Sequence, residues 1–388
     1  MTDRHPFARR LEDIEPFRVM AILARARALE AQGRSIIHLE IGEPDFPTAP
    51  VIVEAGMAAL RAGHTHYTPA LGLPALRQAI AANYAPACGV DAARIGITPG
   101  ASGALQLVFA ALLNPGDRVL MADPGYPCNR HFVRLFEGEA VSIAVGPETH
   151  YQLNAELIRD RWTPRTVAVL LASPSNPTGT LVPPAELARI VATVQELGGV
   201  LIVDEIYHGL TYGVEAVSAL TYSSDVFVVN SFSKYYGMTG WRLGWIVAPE
   251  RYMPALDKLA QNVFLAAGTP AQHAALAAFT PEARQELERR RDTFRERRDY
   301  LLPALRALGF AIPVVPQGAF YLYADCSRFT DDSERFAREL LEQAGVAITP
   351  GLDFGRHRAR QHVRFSYANT RANLEEGVRR LAEFLRRR

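Results

Sequence analysis

The chain predicts an α/β protein: a large domain on a mostly parallel sheet covered by helices, and a second, smaller α+β domain. Three observations carry this. At 388 residues the chain is longer than one ordinary core of about 150 residues requires. Through its middle, short apolar runs alternate with helical periodicity, the pattern of strands buried on both faces. After Pro281 that alternation gives way to a charged helix and isolated strands.

Taken in order, the first strand of the sheet is 94–98, Arg-Ile-Gly-Ile-Thr, ending at Pro99 and Gly100. Leu105, Val108, Phe109 and Leu112 then fall at i, i+3, i+4 and i+7, the stripe of an amphipathic helix, which the turn 114–117 closes. The runs 118–121, 167–171, 200–203 and 226–229 are further buried strands, each followed by turn residues. The charge run 284–292 reads as the exposed face of a long helix leaving the sheet. Beyond it, 318–323 and 362–367 read as strands, 336–344 as a helix, and the C-terminus as an amphipathic helix. The N-terminal segment completes this second domain, so the expected division is 48–284 for the large domain and 1–47 with 285–388 for the small one.

Composition narrows the function classes. The chain is 48% hydrophobic and 21% charged, and Lys+Arg 42 against Asp+Glu 41 leaves +1, which offers no field for nucleic acid. No run approaches the roughly 18 apolar residues of a membrane span, and the start has no signal-peptide pattern, so a cytoplasmic protein is expected. Cys88, Cys128 and Cys326 are odd in number and in no metal-binding spacing. The alternating imidazoles of His64 and His66 have no carboxylate or thiol companion, so no metal is expected. Of the 42 basic residues, Lys234 and Lys258 alone are lysines, and any chemistry that needs an amine must use one of them, because a guanidinium stays protonated.

In open α/β sheets ligands bind beyond the carboxyl ends of the strands, and four such ends carry polar residues. Gly100-Ala-Ser-Gly103 opens a helix with unpaired N–H groups suited to a phosphate. Asp204 ends a very apolar strand, where a carboxylate is costly without a cation or several donors, and Tyr207 follows one turn later. Prolines 174 and 177 with Gly179 make a rigid loop that presents Asn176. The fourth is decisive: Lys234 follows a buried strand among small and aromatic residues, with Arg242 eight positions on. Burial depresses an ammonium's pKa and makes the amine a nucleophile. Lys258, beside Asp257 in a helical stretch, reads as an exposed side chain.

The run Ser231-Phe-Ser-Lys234 through Arg242-Leu-Gly244 resembles the lysine motif of class I pyridoxal-phosphate-dependent aminotransferases of fold type I. Six further blocks resemble the family's others in the same order: Ile41 to Phe46, Tyr67 to Gly72, Asp123 to Tyr126, Ser175 to Gly179, Asp204 to Tyr207, and Arg364 to Ala368. Together they span nearly the whole chain. The extra Ala49 after the first block and the Ala101-Ser102 pair of the phosphate turn are the departures.

This resemblance implies a seven-stranded sheet, a pyridoxal 5'-phosphate cofactor, and transfer of an amino group from an amino acid to a 2-oxo acid. It implies that Lys234 holds the cofactor as a Schiff base and shuttles the substrate proton, that Asp204 pairs with the pyridine N–H, and that Tyr207 and Asn176 bond the phenolic oxygen. Tyr126 would stack on the ring. Ala101, Ser102, Ser231 and Arg242 would hold the phosphate, joined by Tyr67 from the second subunit of a homodimer with shared sites. Arg364, with Asn176 and the Gly42 backbone, would bind the substrate carboxylate. Alternation supports that last role, because Val363, Phe365 and Tyr367 share one strand face and leave Arg364 on the other. Two other functions use the same anchors. A carbon–sulfur β-lyase would release pyruvate and ammonia without an oxo-acid acceptor. A transcription regulator would need an N-terminal DNA-binding domain, for which some 40 residues before Ile41 give little room.

Overall fold

The computed structural model describes residues 7–387. Twelve strands follow in chain order: β1 (Ile37–His38), β2 (Ile95–Thr98), β3 (Arg118–Asp123), β4 (Glu139–Ala144), β5 (Thr166–Ala172), β6 (Val200–Asp204), β7 (Phe227–Ser231), β8 (Gly244–Val247), β9 (Tyr321–Asp325), β10 (Val346–Ala347), β11 (Thr349–Pro350) and β12 (His362–Ser366). Strands β2 to β8 form one seven-stranded sheet in the order β2-β8-β7-β6-β5-β3-β4. All neighbours are parallel except those of β8, which runs antiparallel to both β2 and β7. The mostly parallel sheet expected from the apolar runs is therefore present.

Side chains alternate between two cores, as a doubly covered sheet requires. Leu120, Val169, Leu171, Leu201, Val203 and Val228 pack on one face. Val119, Met121, Leu170, Ile202, Phe227 and Val229 pack on the other, against the helix Gly100–Leu112. Two strands of this sheet went unrecognised in the sequence. Strand β4 lies at the sheet edge with most of its residues part-exposed, so it lacks a buried run. Strand β8 is four residues long and follows directly on the Trp241-Arg242 turn.

The charged run lies on a 28-residue helix, Pro281–Leu308. Its buried stripe includes Leu287, Phe294, Leu301 and Leu305, the last three joining Phe320, Phe336, Phe365 and Phe384 in a separate core. A three-stranded antiparallel sheet, β11-β12-β9, and a parallel pair, β1-β10, complete this part of the molecule. The pairing β1-β10 ties the N-terminal segment to the C-terminal part. Strand β9 covers Tyr321–Asp325 rather than 318–323, because Gly318 bridges to Thr211 instead.

Candidate active site

The sheet's register explains why distant residues converge. Thr98 and Ser231 both pair with Gly244, so the carboxyl ends of β2 and β7 meet the start of β8 at one edge. Backbones crowd there: a Cβ on Gly244 would lie 2.7 Å from Gly100 C and 2.9 Å from Ala101 N. Gly100 has φ +70°, and a Cβ on it would lie 2.6 Å from Arg242 Nη2. Arg242 itself is held at φ 54°, an uncommon backbone state for a residue with a side chain, and its Nη1 donates to the Thr239 carbonyl at 3.0 Å. The helix start, the Ser231 and Ser233 hydroxyls and the Arg242 guanidinium thus form one cup.

That cup opens into a cavity of about 720 Å³ between the sheet and the smaller core. Eleven of the twelve residues singled out in the sequence line it: Gly42, Ala101, Ser102, Tyr126, Asn176, Asp204, Tyr207, Ser231, Lys234, Arg242 and Arg364. Tyr67 does not; it is 83% exposed on the outer surface.

Lys234 is half-buried, and its Nζ donates to the Gly42 carbonyl at 2.6 Å. Burial pulls its amine down to about 8; Glu43 opposes that shift, and the Arg364 and Arg242 cations add to it. Asp204 is buried at the end of β6, accepting the Ile206 N–H at 3.1 Å. Burial pushes its carboxyl up to about 7, against the pull of that hydrogen bond. Among the described residues Asp204 has no ion-pair partner, so a buried carboxylate faces the cavity short of a cation.

Arg364 is 3% exposed, not the surface arginine its strand alone would suggest. Its Nη1 donates to Asn176 Oδ1 at 2.8 Å, and its Nη2 donates to the Glu40 carbonyl and to Thr349 Oγ1. The guanidinium lies 4.3 Å from the Tyr321 ring centroid and 4.8 Å from that of Phe354. Because Asn176 Oδ1 is taken by Arg364, the donor end of that amide is left for the cavity. The hydroxyls of Tyr207 and Tyr321 are 2.9 Å apart, and burial raises the pKa of both.

Several site residues carried no sequence signal. Tyr321, Thr349 and Glu40 reach the site only through the fold of the smaller core. Glu40 is fully buried; its Oε1 meets His38 Nδ1 at 2.7 Å and its Oε2 has no partner. That hydrogen bond, opposed by burial, pushes His38 up to about 9. The helix Arg18–Glu30 also lines the cavity, through Val19, Met20, Leu23 and Arg27. Elsewhere His64 stacks on His273, and no group of three or more potential metal ligands occurs among the described residues. The cysteines are unpaired, and Lys258 is exposed as expected.

A half-buried lysine between a cup of donors and an uncompensated buried carboxylate offers the three kinds of group, an amine, anion donors and a counter-charge, that the carbonyl, phosphate and protonated ring nitrogen of pyridoxal phosphate call for. The comparisons with known proteins agree. The family model "Aminotransferase class I and II" matches residues 34–381. A valine–pyruvate aminotransferase of Mycobacterium tuberculosis is 41% identical over 376 residues, 96% of this chain and 97% of that one. The crystal structure of an aminotransferase from the same organism superposes with TM-score 0.95 at 40% identity, covering 99% of this chain and all of the other. Aspartate aminotransferase of Thermus thermophilus, solved with maleate, gives TM-score 0.93 at 36% identity, covering 98% and 99% of the two chains. The chain belongs to the class I and II aminotransferases and is a pyridoxal-5'-phosphate-dependent transaminase of fold type I.

Proposed function

We propose that Lys234 carries the cofactor and moves the substrate proton, with the other cavity residues as its anchors and guides. The observation that supports this most is the half-buried amine, drawn down to about 8, in one cavity with both Asp204 and Arg364. Near neutral pH such an amine has an accessible free-base form, which nucleophilic attack and proton transfer both need. Ala101, Ser102, Ser231 and Arg242 hold the phosphate in the cup. Asp204 supplies the counter-charge for the ring N–H, which removes the cost of its own burial. Tyr207 and the amide of Asn176 bond the ring oxygen, and Tyr126 covers the ring face. When bound, the cofactor supplies an electron sink for the pair left at the substrate Cα.

Arg364 takes the α-carboxylate in its planar fork, helped by Asn176 and the Gly42 backbone, and so sets the Cα–H bond toward Lys234. The same fork serves amino acid and 2-oxo acid alike, because both carry this carboxylate. A homodimer with shared sites, in which Tyr67 reaches the phosphate of the other subunit, rests on the resemblance to the family, and the exposure of Tyr67 on its own chain is compatible with it. The division at 47/48 and 284/285 follows the two main cores in their bulk, although Leu287, Tyr323 and Phe354 pack in the larger one and Tyr207, Leu210 and Tyr212 in the smaller. The three unpaired cysteines support a cytoplasmic enzyme. Mixing the holoenzyme with single amino acids and then with 2-oxo acids tests the activity: the cofactor absorption band should be lost with the first and restored by the second. Pyruvate and ammonia formed without an oxo acid would indicate β-elimination instead.

A further inference from the structure

We propose that this site takes amino acids with apolar side chains, and that Met20 and Leu23 read them. The proposal rests on the transaminase reading above and adds its substrate class.

The helix Arg18–Glu30 has two apolar faces. Val19, Ala26 and Leu29 are buried, with Ala26 and Leu29 packed on Leu341 and Ala347. Met20 and Leu23, three residues apart and so on one side, line the cavity together with the buried Val19, and Met20 remains 55% exposed there. A fixed anchor sets where this second face lies. The Arg18 N–H donates to Asp353 Oδ1 at 2.8 Å, next to Phe354, whose ring lies against Arg364. Phe17 meets the Tyr126 ring edge-on at 6.2 Å. The helix therefore begins between the carboxylate fork and the ring-covering tyrosine, and it presents a methionine and a leucine beyond them. Phe132 also lines the cavity.

Charge accounting points the same way. Four cations line the cavity: Lys234, Arg242, Arg364 and Arg27. The first three are used by the cofactor and the α-carboxylate, which leaves Arg27, among the described residues of this chain, as the one lining cation free for the second carboxylate of a dicarboxylic substrate. Arg27 is exposed and lies about 15 Å along the helix from Phe17, at roughly 1.5 Å per residue. Between them stand Met20 and Leu23. An apolar side chain covers this stripe and gains from leaving water, whereas a carboxylate there would lose its hydration with no partner at hand.

The test is a donor panel on the holoenzyme, read as kcat/KM from loss of the cofactor band. Leucine, methionine and phenylalanine should exceed aspartate and glutamate. Met20→Ala and Leu23→Ala should each lower kcat/KM for the large apolar donors about tenfold or more, while alanine, too short to touch the stripe, changes little and Met20→Leu keeps most activity. Equal losses for alanine and leucine, or no loss at all, would overturn the proposal. So would a change of oligomeric state in these variants, which would mean that a second copy covers the stripe. Faster reaction of dicarboxylates, abolished by Arg27→Gln, would assign the reading role to Arg27 and sink the proposal while leaving transamination intact. If no amino acid altered the band in the wild type, the transaminase reading itself would fall, and the proposal with it.

Discussion

Replacing Asp204 by asparagine should make the cofactor-free protein more stable and the enzyme worse. Asp204 is 6% exposed, and burial pushes its carboxyl from the ordinary 3.8 up to about 7. Between those values the unfolded chain has released a proton that the folded chain still holds. Rising pH therefore favours unfolding across this window; the penalty is absent below it and complete above about 7. At about 1.4 kcal/mol per pK unit, the full penalty is on the order of 4 kcal/mol. Asparagine stays neutral throughout and still accepts the Ile206 N–H. We expect the cofactor-free Asp204→Asn variant to gain about 2–4 kcal/mol at pH 8 and almost nothing at pH 4, read by urea denaturation at both pH values. With cofactor present the ring nitrogen loses its counter-charge, so kcat should fall far more than KM rises. No gain at pH 8, or the same gain at both pH values, would refute the argument that an uncompensated buried carboxylate waits for a cation.

Other outcomes follow from the same geometry. Arg364→Lys keeps the charge but loses the fork to Asn176, Glu40 and Thr349, so kcat/KM should drop about 10- to 100-fold for donors and acceptors alike, with side-chain preference unchanged. Gly100→Ala places a methyl group against Arg242 at a positive φ; it should cost about 1 kcal/mol or more of stability and speed cofactor loss, measured by dialysis and fluorescence. His38, raised to about 9 by Glu40, adds stability that is whole below pH 6.5 and is lost as pH rises to about 9. His38→Gln should flatten that decline in thermal midpoints.

The legible part of this protein was what local chemistry dictates. A lysine after a buried strand carries a cost that a ligand explains, so Lys234 could be picked out by itself, whereas the aspartate ending an apolar strand and the small-residue turn opening a helix could also be helix caps and gained their meaning beside it. The strands with residues buried on both faces were equally plain, since 200–204 is apolar until its last residue. What could not be read depends on contacts far apart in the chain. Tyr321 looks like an ordinary strand aromatic, and only the packing of β9 beside β12 brings its hydroxyl to Tyr207. Glu40 becomes a buried neighbour of Arg364 only once the N-terminal segment pairs with β10. Met20 and Leu23 stood out in no way, because a sequence does not tell an apolar face turned to a cavity from one turned to a core.

The central claim is that Lys234 is the residue that holds the cofactor, and sodium borohydride tests it most directly. Reduction of the holoenzyme, followed by tryptic digestion and mass spectrometry, should place the reduced pyridoxyl phosphate on a peptide running uncut through Lys234 to Arg242, with Lys258 unlabelled. Lys234→Ala should take up no covalent label and lose turnover, yet still retain cofactor weakly through the cup and Asp204. A label on Lys258, or a fully active Lys234→Ala enzyme, would contradict the account.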